Sequence, residues 1–140
     1  MDLAQLDDRV GYFLRRLQVT IFKDFIRTLA PLDVRPAQYS VLVLIDANPG
    51  RSQAAIGKAL NIERARLARM LHELERRQWI ERRVSSGDGR SHSLFMTAAG
   101  KDAMARIETL AAQHERQMVK FIGRDLRQLL LERLRKFGRR

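Results

Sequence analysis

Apolar residues recur every three or four positions from Leu3 to Phe25, and this spacing predicts a long amphipathic helix. The helix should end before Pro31, because a residue that precedes a proline disfavours helical geometry. A second helix is predicted to begin with Pro36, whose missing N–H costs nothing in a first turn. Its sequence, PAQYSVLVLIDAN, is apolar on nearly all sides, which indicates a central and buried helix.

The middle of the chain has the pattern of two more helices followed by a β-hairpin. Ser52 can cap a short helix, SQAAIGKAL, and Asn61-Ile62 turns the chain into a longer helix over about residues 63–77. Gly57 is the small residue that lets these two helices approach closely. Two strand-like segments, 79–84 and 91–96, flank a tip rich in Gly, Ser and Asp. This order is typical of a winged helix-turn-helix, whose second helix lies in the DNA major groove.

Long amphipathic helices are also predicted in the C-terminal third. Thr97 can cap a fifth helix, and Gly123 separates it from a sixth. A small winged domain cannot cover the apolar stripes of the first, fifth and sixth helices, so we expect them to pack against a second copy. Such a dimer places two recognition helices about 34–36 Å apart, which suits a palindromic operator. The alternative is a monomer whose terminal helices pack on each other.

These patterns predict a mainly α-helical fold (α+β, winged helix-turn-helix) with six helices and a two-stranded wing. We expect an obligate dimer through the N- and C-terminal helices. The chain should form one domain over residues 1–140, with the winged helix-turn-helix at 35–97 and dimerisation helices at 1–34 and 98–140.

The positive charge of the chain is unevenly placed. The 140 residues include 27 Lys or Arg and 16 Asp or Glu, which gives a net charge of +11. The first 50 residues are neutral overall, whereas residues 51–93 carry +5 and residues 94–140 carry +6. Because a solvated surface would spread the charge more evenly, this clustering favours nucleic acid as the partner.

Several classes of protein are disfavoured by what the sequence lacks. Without Cys, the chain cannot form a disulfide scaffold, a Cys-based zinc site or a thiol redox sensor. The histidines His72, His92 and His114 lack metal-binding spacing, and no nucleophile elbow or phosphate loop is present. We therefore expect neither an enzyme nor a metal or other cofactor. No apolar run approaches the roughly 20 residues of a membrane span, and no signal peptide is visible, so a cytoplasmic protein is expected.

Candidate DNA contacts come from both helices of the motif and from the wing. Arg64, Arg66 and Arg69 occupy the first half of the recognition helix, and an Arg that bonds a guanine at two points discriminates by about 1–3 kcal/mol. The helix that starts at Ser52 offers free N–H groups to a phosphate. Arg90 at the hairpin tip is placed to enter a minor groove.

Surface ion pairs are the alternative interpretation of these arginines. Glu63, Glu73 and Glu75 lie on the same helix at spacings that allow such pairs. For Arg76 and Arg77 the ion-pair interpretation is preferred. Two other functions remain open: a DNA-binding or architectural protein that senses no ligand, and, less favoured, a membrane binder through the basic tail 134–140.

Over essentially its whole length the sequence resembles the multiple-antibiotic-resistance-regulator (MarR) family. The stretch SQAAIGKALNIERARLARMLHELERRQWIERR looks like the helix-turn-helix of the family, and Asp88-Gly89-Arg90 followed by Met96-Thr97 and Gly100 looks like its wing signature, Asp-x-Arg then Leu-Thr-x-x-Gly. The resemblance implies that Asp88 orients Arg90. The predicted DNA-contacting residues are thus Ser52, Gln53, Arg64, Arg66, Arg69, Asp88 and Arg90.

The sequence departs from the family pattern at a few positions. Met96 replaces a usual Leu, and Gln78 stands where a Gly often ends the recognition helix. Ala65 and Arg66 stand where Ser or Thr is common, which suggests a larger share of base reading for Arg. The family resemblance implies a dimeric repressor that is relieved when a small, often phenolic, ligand binds between the dimerisation helices and the DNA-binding lobe.

The segment GYFLRRLQVTIFKDFIRTLAPLDVRPAQYSVL and the absence of Cys resemble the family branch that controls breakdown of plant aromatic acids and responds to aromatic acyl-coenzyme A thioesters such as p-coumaroyl-CoA. Such a ligand needs an apolar slot for its ring and cations for its phosphates. The predicted ligand-binding residues are Arg16, Arg35, Gln38, Tyr39 and Leu42. In the alternative interpretation Gln38 and Ser40 are satisfied core groups and both arginines are surface residues. His114 is expected to be a bonded core histidine.

Overall fold

The computed structural model describes residues 1–84 and 92–137. The chain order in this part is a 3₁₀ turn at Ala4–Asp8, α1 (Val10–Leu29), a 3₁₀ turn at Ala30–Leu32, α2 (Pro36–Ala47), α3 (Gln53–Leu60), α4 (Arg64–Arg76), β1 (Ile80–Val84), β2 (His92–Met96), α5 (Ala98–Ile122) and α6 (Arg124–Phe137). The two strands pair antiparallel, from Ile80 opposite Met96 to Val84 opposite His92. The predicted winged helix-turn-helix with six helices and a two-stranded wing is confirmed.

The first helix begins later than its apolar spacing predicts. The chain breaks at Arg9, whose backbone is extended (φ −114°, ψ 104°), so residues 4–8 form a separate 3₁₀ turn. The side chain of Asp2 accepts a hydrogen bond from the N–H of Ala4 at 2.9 Å, which offers this backbone an alternative to the helix. Leu6 is largely exposed, so no core packing favours the helical alternative.

The buried core forms around α2, as its apolar sequence predicts. Pro36 is the first residue of the helix, and Val41, Leu42 and Ile45 are fully buried. They belong to one cluster with buried residues of α4, the wing and α5, namely Leu67, Met70, Leu71, Leu74, Ile80, Leu94, Met104 and Ile107. The winged domain and α5 therefore share one core.

The predicted signals of the helix-turn-helix act as expected. The hydroxyl of Ser52 accepts the N–H of Ala55 at 3.2 Å and caps α3. Asn61 takes the left-handed conformation (φ 51°) that turns the chain. A Cβ on Gly57 would lie 3.2 Å from Cδ2 of Leu67, which explains the small residue at this helix contact. The carboxylate of Glu63 caps α4, a role that was not predicted from the sequence.

The end of α4 is joined closely to the start of α5. Gln78 adopts a left-handed backbone (φ 59°), the geometry that explains why glycine suits this position and that costs about 1–2 kcal/mol for another residue. Thr97 donates its hydroxyl to the Gln78 carbonyl and accepts the N–H of Gly100 at 2.9 Å. Its own N–H bonds the carbonyl of Trp79 at 3.0 Å. Thr97 therefore caps α5, as predicted, and also ties it to the wing.

The terminal helices leave a large apolar surface uncovered in the single chain. No residue of α6 is buried. The exposed large apolar residues of α1, α5 and α6 are Val10, Phe13, Leu14, Val19, Phe22, Ile26, Phe121, Leu126, Leu129, Leu134 and Phe137. Patches of this size on a water-facing chain mark an interaction surface. Among the described helices, none has the length and apolar character needed to cross a membrane.

Candidate DNA-binding face and effector pocket

The arginines of the recognition helix are exposed and point away from the core. Arg64, Arg66 and Arg69 form no ion pair with another described residue. The acidic residues that were the alternative partners are engaged elsewhere, because Glu63 caps its own helix and Glu73 and Glu75 bond Gln38 and Arg82. Within the described residues, the three arginines therefore keep their donors for an external anion.

Glu63 remains a stable cap beside these cations. Its carboxylate accepts the N–H groups of Ala65 at 2.8 Å and Arg66 at 3.0 Å. These two bonds, and to a smaller extent the charge of Arg69, lower the pKa of the Glu63 carboxyl. The carboxylate is thus ionised at neutral pH and holds the start of α4 in place.

A groove of about 590 Å³ lies between α3, α4 and the base of the wing. Ser52 and Gln53 line it from α3, Arg64 lines it from α4, and Lys58 adds a further exposed cation. The structure thus brings three predicted DNA contacts, Ser52, Gln53 and Arg64, to one groove, and Arg66 and Arg69 are exposed on the same helix outside it. The other two, Asp88 and Arg90, lie outside the described residues.

Arg82 holds this face together and was not among the residues predicted from the sequence. Its Nε lies 2.9 Å from Oε1 of Glu75 as an ion pair, and its Nη1 donates to Oε1 of Gln53 at 3.4 Å. One side chain of β1 therefore joins the wing to both helices of the motif. Strand alternation could have identified it, because it places Arg82 on the same face as the buried Ile80.

Arg77 makes a long-range contact rather than an ion pair along its own helix. Its guanidinium pairs with the carboxylate of Asp33, donates to the Asp33 carbonyl at 2.7 Å, and stacks 4.7 Å from the ring centre of Trp79. The preferred prediction of a pair with Glu73 or Glu75 is therefore wrong for Arg77. The loop before α2 comes close enough to compete, and it offers both a carbonyl and a carboxylate.

A second cavity, which is the candidate effector site and is called the effector pocket below, lies between α1, α5 and α6 and reaches Tyr39 on α2. Its volume is about 850 Å³, and its walls are mainly apolar. They are formed by Leu14, Leu17, Gln18, Ile21, Phe22, Phe25, Tyr39, Glu108, Ala111, Ala112, His114, Glu115, Arg116, Ile122, Leu130 and Leu134. A neighbouring cavity of about 540 Å³ shares Leu14 and Leu17 and includes Arg16. The volume of the effector pocket falls within the range of small-molecule sites.

Tyr39 and His114 are two polar side chains of the pocket wall that lie on either side of Phe25. The hydroxyl of Tyr39 donates to Oε2 of Glu108 at 3.0 Å, and its ring packs edge to face on Phe25. Burial and this acidic neighbour raise the pKa of Tyr39 to about 12, so the phenol stays protonated at neutral pH. His114 is buried, with Nε2 3.3 Å from Oδ2 of Asp24.

The predicted ligand-binding residues do not converge on one cavity. Tyr39 lines the effector pocket, and Arg16 lines the neighbouring cavity. Arg35 is exposed at the start of α2, and Leu42 is fully buried in the core. Gln38 is also buried, accepting the Arg35 N–H at 2.9 Å and donating to Glu73 at 2.8 Å. Gln38 is thus a satisfied core group, and Ser40 likewise donates to the Pro36 carbonyl.

Comparison with known proteins places this arrangement in a family. Residues 32–91 match the sequence model of the MarR family. The chain is 37% identical over 113 residues to a putative transcriptional regulatory protein for the hcr operon of Thauera aromatica, covering 76% of this chain and 68% of that relative. Its structure superposes on that of the transcriptional repressor CouR bound to a 23-mer DNA duplex, with a TM-score of 0.93, 40% identity and coverage of 99% and 98%. The chain belongs to the MarR family.

This MarR-family protein is a DNA-binding repressor and not an enzyme, as predicted. It is also similar to CouR bound to p-coumaroyl-CoA, with 38% identity, a TM-score of 0.87 and coverage of 99% of this chain and 98% of that chain. The described backbone of the MarR-family protein is thus nearer to the DNA-bound form of CouR than to the thioester-bound form.

Proposed function

We propose that this MarR-family protein acts as a homodimer on a palindromic operator and is released by an aromatic acyl-CoA thioester of the p-coumaroyl-CoA type. The observation that carries the proposal is the full-length likeness to CouR, whose structures contain DNA in one case and p-coumaroyl-CoA in another. The side chains of this chain support each part of the proposal separately.

The exposed face of α3 and α4 supports direct contact with DNA. Arg64, Arg66 and Arg69 carry planar donor groups that suit guanine edges and phosphates. The first N–H groups of α3, behind Ser52 and Gln53, suit a phosphate oxygen. In the proposal the wing residues Asp88 and Arg90 also contact DNA. The roles of these two residues are inferred from the resemblance to the family.

The uncovered apolar residues of α1 and α6 support the dimer. A second copy that packs on them would remove them from water, and a two-fold axis would bring the same helices of both copies together. The same axis sets two α4 helices side by side on one face of DNA, at a spacing of about one helical turn. The alternative monomer is disfavoured because α6 buries none of its residues on the rest of the chain.

Replacing Leu126 and Leu129 together by Ala is expected to weaken the dimer at least about tenfold, since each apolar contact occurs twice in a symmetric interface. Both side chains are about half exposed in the single chain, so the change should spare the fold. Analytical ultracentrifugation over a concentration series measures the dissociation constant. Gln128→Ala, on the polar side of the same helix, is the matched control. An unchanged dissociation constant in the double variant would show that α6 lies outside the interface.

The effector pocket supports a ligand with an aromatic acyl group. Its apolar wall and the rings of Phe22, Phe25 and Tyr39 suit a flat ring. Arg116 on its rim and Arg16 in the neighbouring cavity are cations for the phosphates of a coenzyme A tail. A free aromatic acid would use only the apolar part of this surface.

Helix α2 lies between the effector pocket and the recognition helix. Two neighbouring residues of α2 contact different helices. Gln38 donates to Glu73 of α4, and Tyr39 donates to Glu108 of α5 beside the pocket. A ligand that moves Tyr39 therefore acts on a helix already bonded to α4. To release DNA, the ligand must bind the DNA-free arrangement more tightly than the DNA-bound one.

The effector is tested by titrating p-coumaroyl-CoA into the complex of the protein with a fluorescent duplex selected from a random DNA pool. We expect loss of fluorescence anisotropy with p-coumaroyl-CoA at concentrations at least about tenfold lower than with p-coumarate or CoA, because each fragment makes only part of the contacts. Duplex binding without any response to aromatic thioesters would instead identify a ligand-independent DNA-binding protein.

A further inference from the structure

His114 is a buried polar residue without a complete set of hydrogen bonds. It is 6% exposed, and among the described residues its Nε2 has no hydrogen-bond partner. Oδ2 of Asp24 lies 3.3 Å away, which is within the distance of an ion pair, but the direction does not suit a hydrogen bond. Gln38, the other buried polar side chain of the described core, has both ends of its amide bonded. His114 is therefore buried in the core, as predicted, but its Nε2 lacks the predicted hydrogen bond among the described residues.

The His114 side chain lines the effector pocket among groups that suit an aromatic ligand, while its Nε2 faces Asp24 and has almost no accessible surface in the ligand-free chain. The His114 ring centre is 4.9 Å from that of Phe25, whose other neighbour is Tyr39 at 5.4 Å. Ala111 and Ala112, one turn or less before His114, leave space beside it. This part of the pocket wall thus combines an aromatic slot, small residues and an imidazole.

A phenolic hydroxyl on the ligand has the chemistry to supply the hydrogen bond that Nε2 of His114 lacks among the described residues. It both donates and accepts a hydrogen bond, so it can pair with an imidazole nitrogen in either tautomer. When Nε2 carries the proton, the hydroxyl accepts from it and can donate its own proton to a nearby carboxylate. A ring without a hydroxyl would cover His114 and leave Nε2 buried and unbonded, which is unfavourable.

We propose that His114 is the specificity-determining residue of the effector pocket and that its imidazole turns from Asp24 to bond the hydroxyl of a 4-hydroxylated aromatic acyl group. This inference rests on the proposed effector function and narrows it, since the preferred thioesters carry a phenol at the end of the ring remote from the thioester. Phe25 orients the ring, and the coenzyme A tail lies toward the open end of the pocket. Aliphatic acyl thioesters and thioesters of unsubstituted aromatic acids are rejected for want of the hydroxyl.

The test compares p-coumaroyl-CoA with cinnamoyl-CoA, which differ only in the phenolic hydroxyl. Isothermal titration of the full chain without DNA gives both dissociation constants. We expect the wild type to prefer p-coumaroyl-CoA at least about tenfold, because sites built around a hydroxyl discriminate strongly against its absence. His114→Leu should bind both thioesters equally, with an affinity for cinnamoyl-CoA at least as high as that of the wild type. His114→Gln, which retains hydrogen-bonding capacity, should keep part of the preference.

His72→Leu is the matched control, since His72 is exposed on α4 and outside the pocket. It should keep the wild-type preference. A wild type that binds both thioesters equally, or a His114→Leu variant that retains the preference, overturns the role of His114 and leaves the effector proposal intact. A wild type that binds neither thioester overturns both proposals. Because the wild-type comparison needs no substitution, misfolding of a variant does not remove the test.

Discussion

Arg66→Ala is expected to weaken operator binding at least about 30-fold, because a dimer loses two base contacts worth about 1–3 kcal/mol each. Arg66 lies in the first turn of α4, is exposed and forms no ion pair with another described residue. Its backbone N–H is bonded to Glu63, so the start of the helix is fixed independently of the side chain. The substitution should therefore leave the fold and the dimer unchanged.

Fluorescence anisotropy with the selected operator and with an unrelated duplex measures this effect, at two or more salt concentrations. Loss of a base contact reduces the difference in affinity between the operator and the unrelated duplex. Loss of a phosphate contact instead lowers the affinity for both duplexes and reduces its salt dependence. Arg106→Ala removes the same charge from an exposed site on α5 and is the matched control. If both variants reduced affinity equally on both duplexes, Arg66 would act only through the net charge of the protein.

The parts of the fold that the sequence predicted well depend on local signals. Ser52 and Thr97 cap helices because the groups they bond lie three residues away, and Pro36 begins α2 for a similarly local reason. Gly123 separates α5 from α6 with a backbone (φ 84°) that other residues rarely adopt. Such signals can be recognised without knowing which helices meet in space.

The side-chain partners at the two sites depend on packing and could not be inferred from spacing. Arg77 bonds Asp33, 44 residues away, in preference to the acidic residues of its own helix. Gln38 bonds Glu73 across 35 residues, which turns a predicted ligand contact into a core contact. The apolar stripe of α5 predicted that His114 is buried. That its Nε2 lies near Asp24 without forming a hydrogen bond follows only from the arrangement of α1 and α5.

The largest effect on stability is expected at Gly100, the last residue of the wing signature. A Cβ at this position would lie 1.9 Å from the carbonyl oxygen of Trp79 and 2.8 Å from its carbonyl carbon. Both are backbone atoms, and the Trp79 carbonyl is held by the N–H of Thr97, so no flexible side chain can move aside. The steric conflict, and not an unusual backbone conformation, is the reason for glycine here.

Gly100→Ala should therefore lower the free energy of unfolding by about 3 kcal/mol, the upper part of the usual range for overpacking. Gly11→Ala is the matched control, because no atom lies within 4 Å of its added Cβ, and it should raise stability by at most about 1 kcal/mol. Urea denaturation followed by circular dichroism compares the two variants with the wild type at one protein concentration, since dimer stability depends on concentration. Equal stability of both variants would mean that α5 can withdraw from Trp79 at little cost, and that the glycine of the wing signature is not required by this contact.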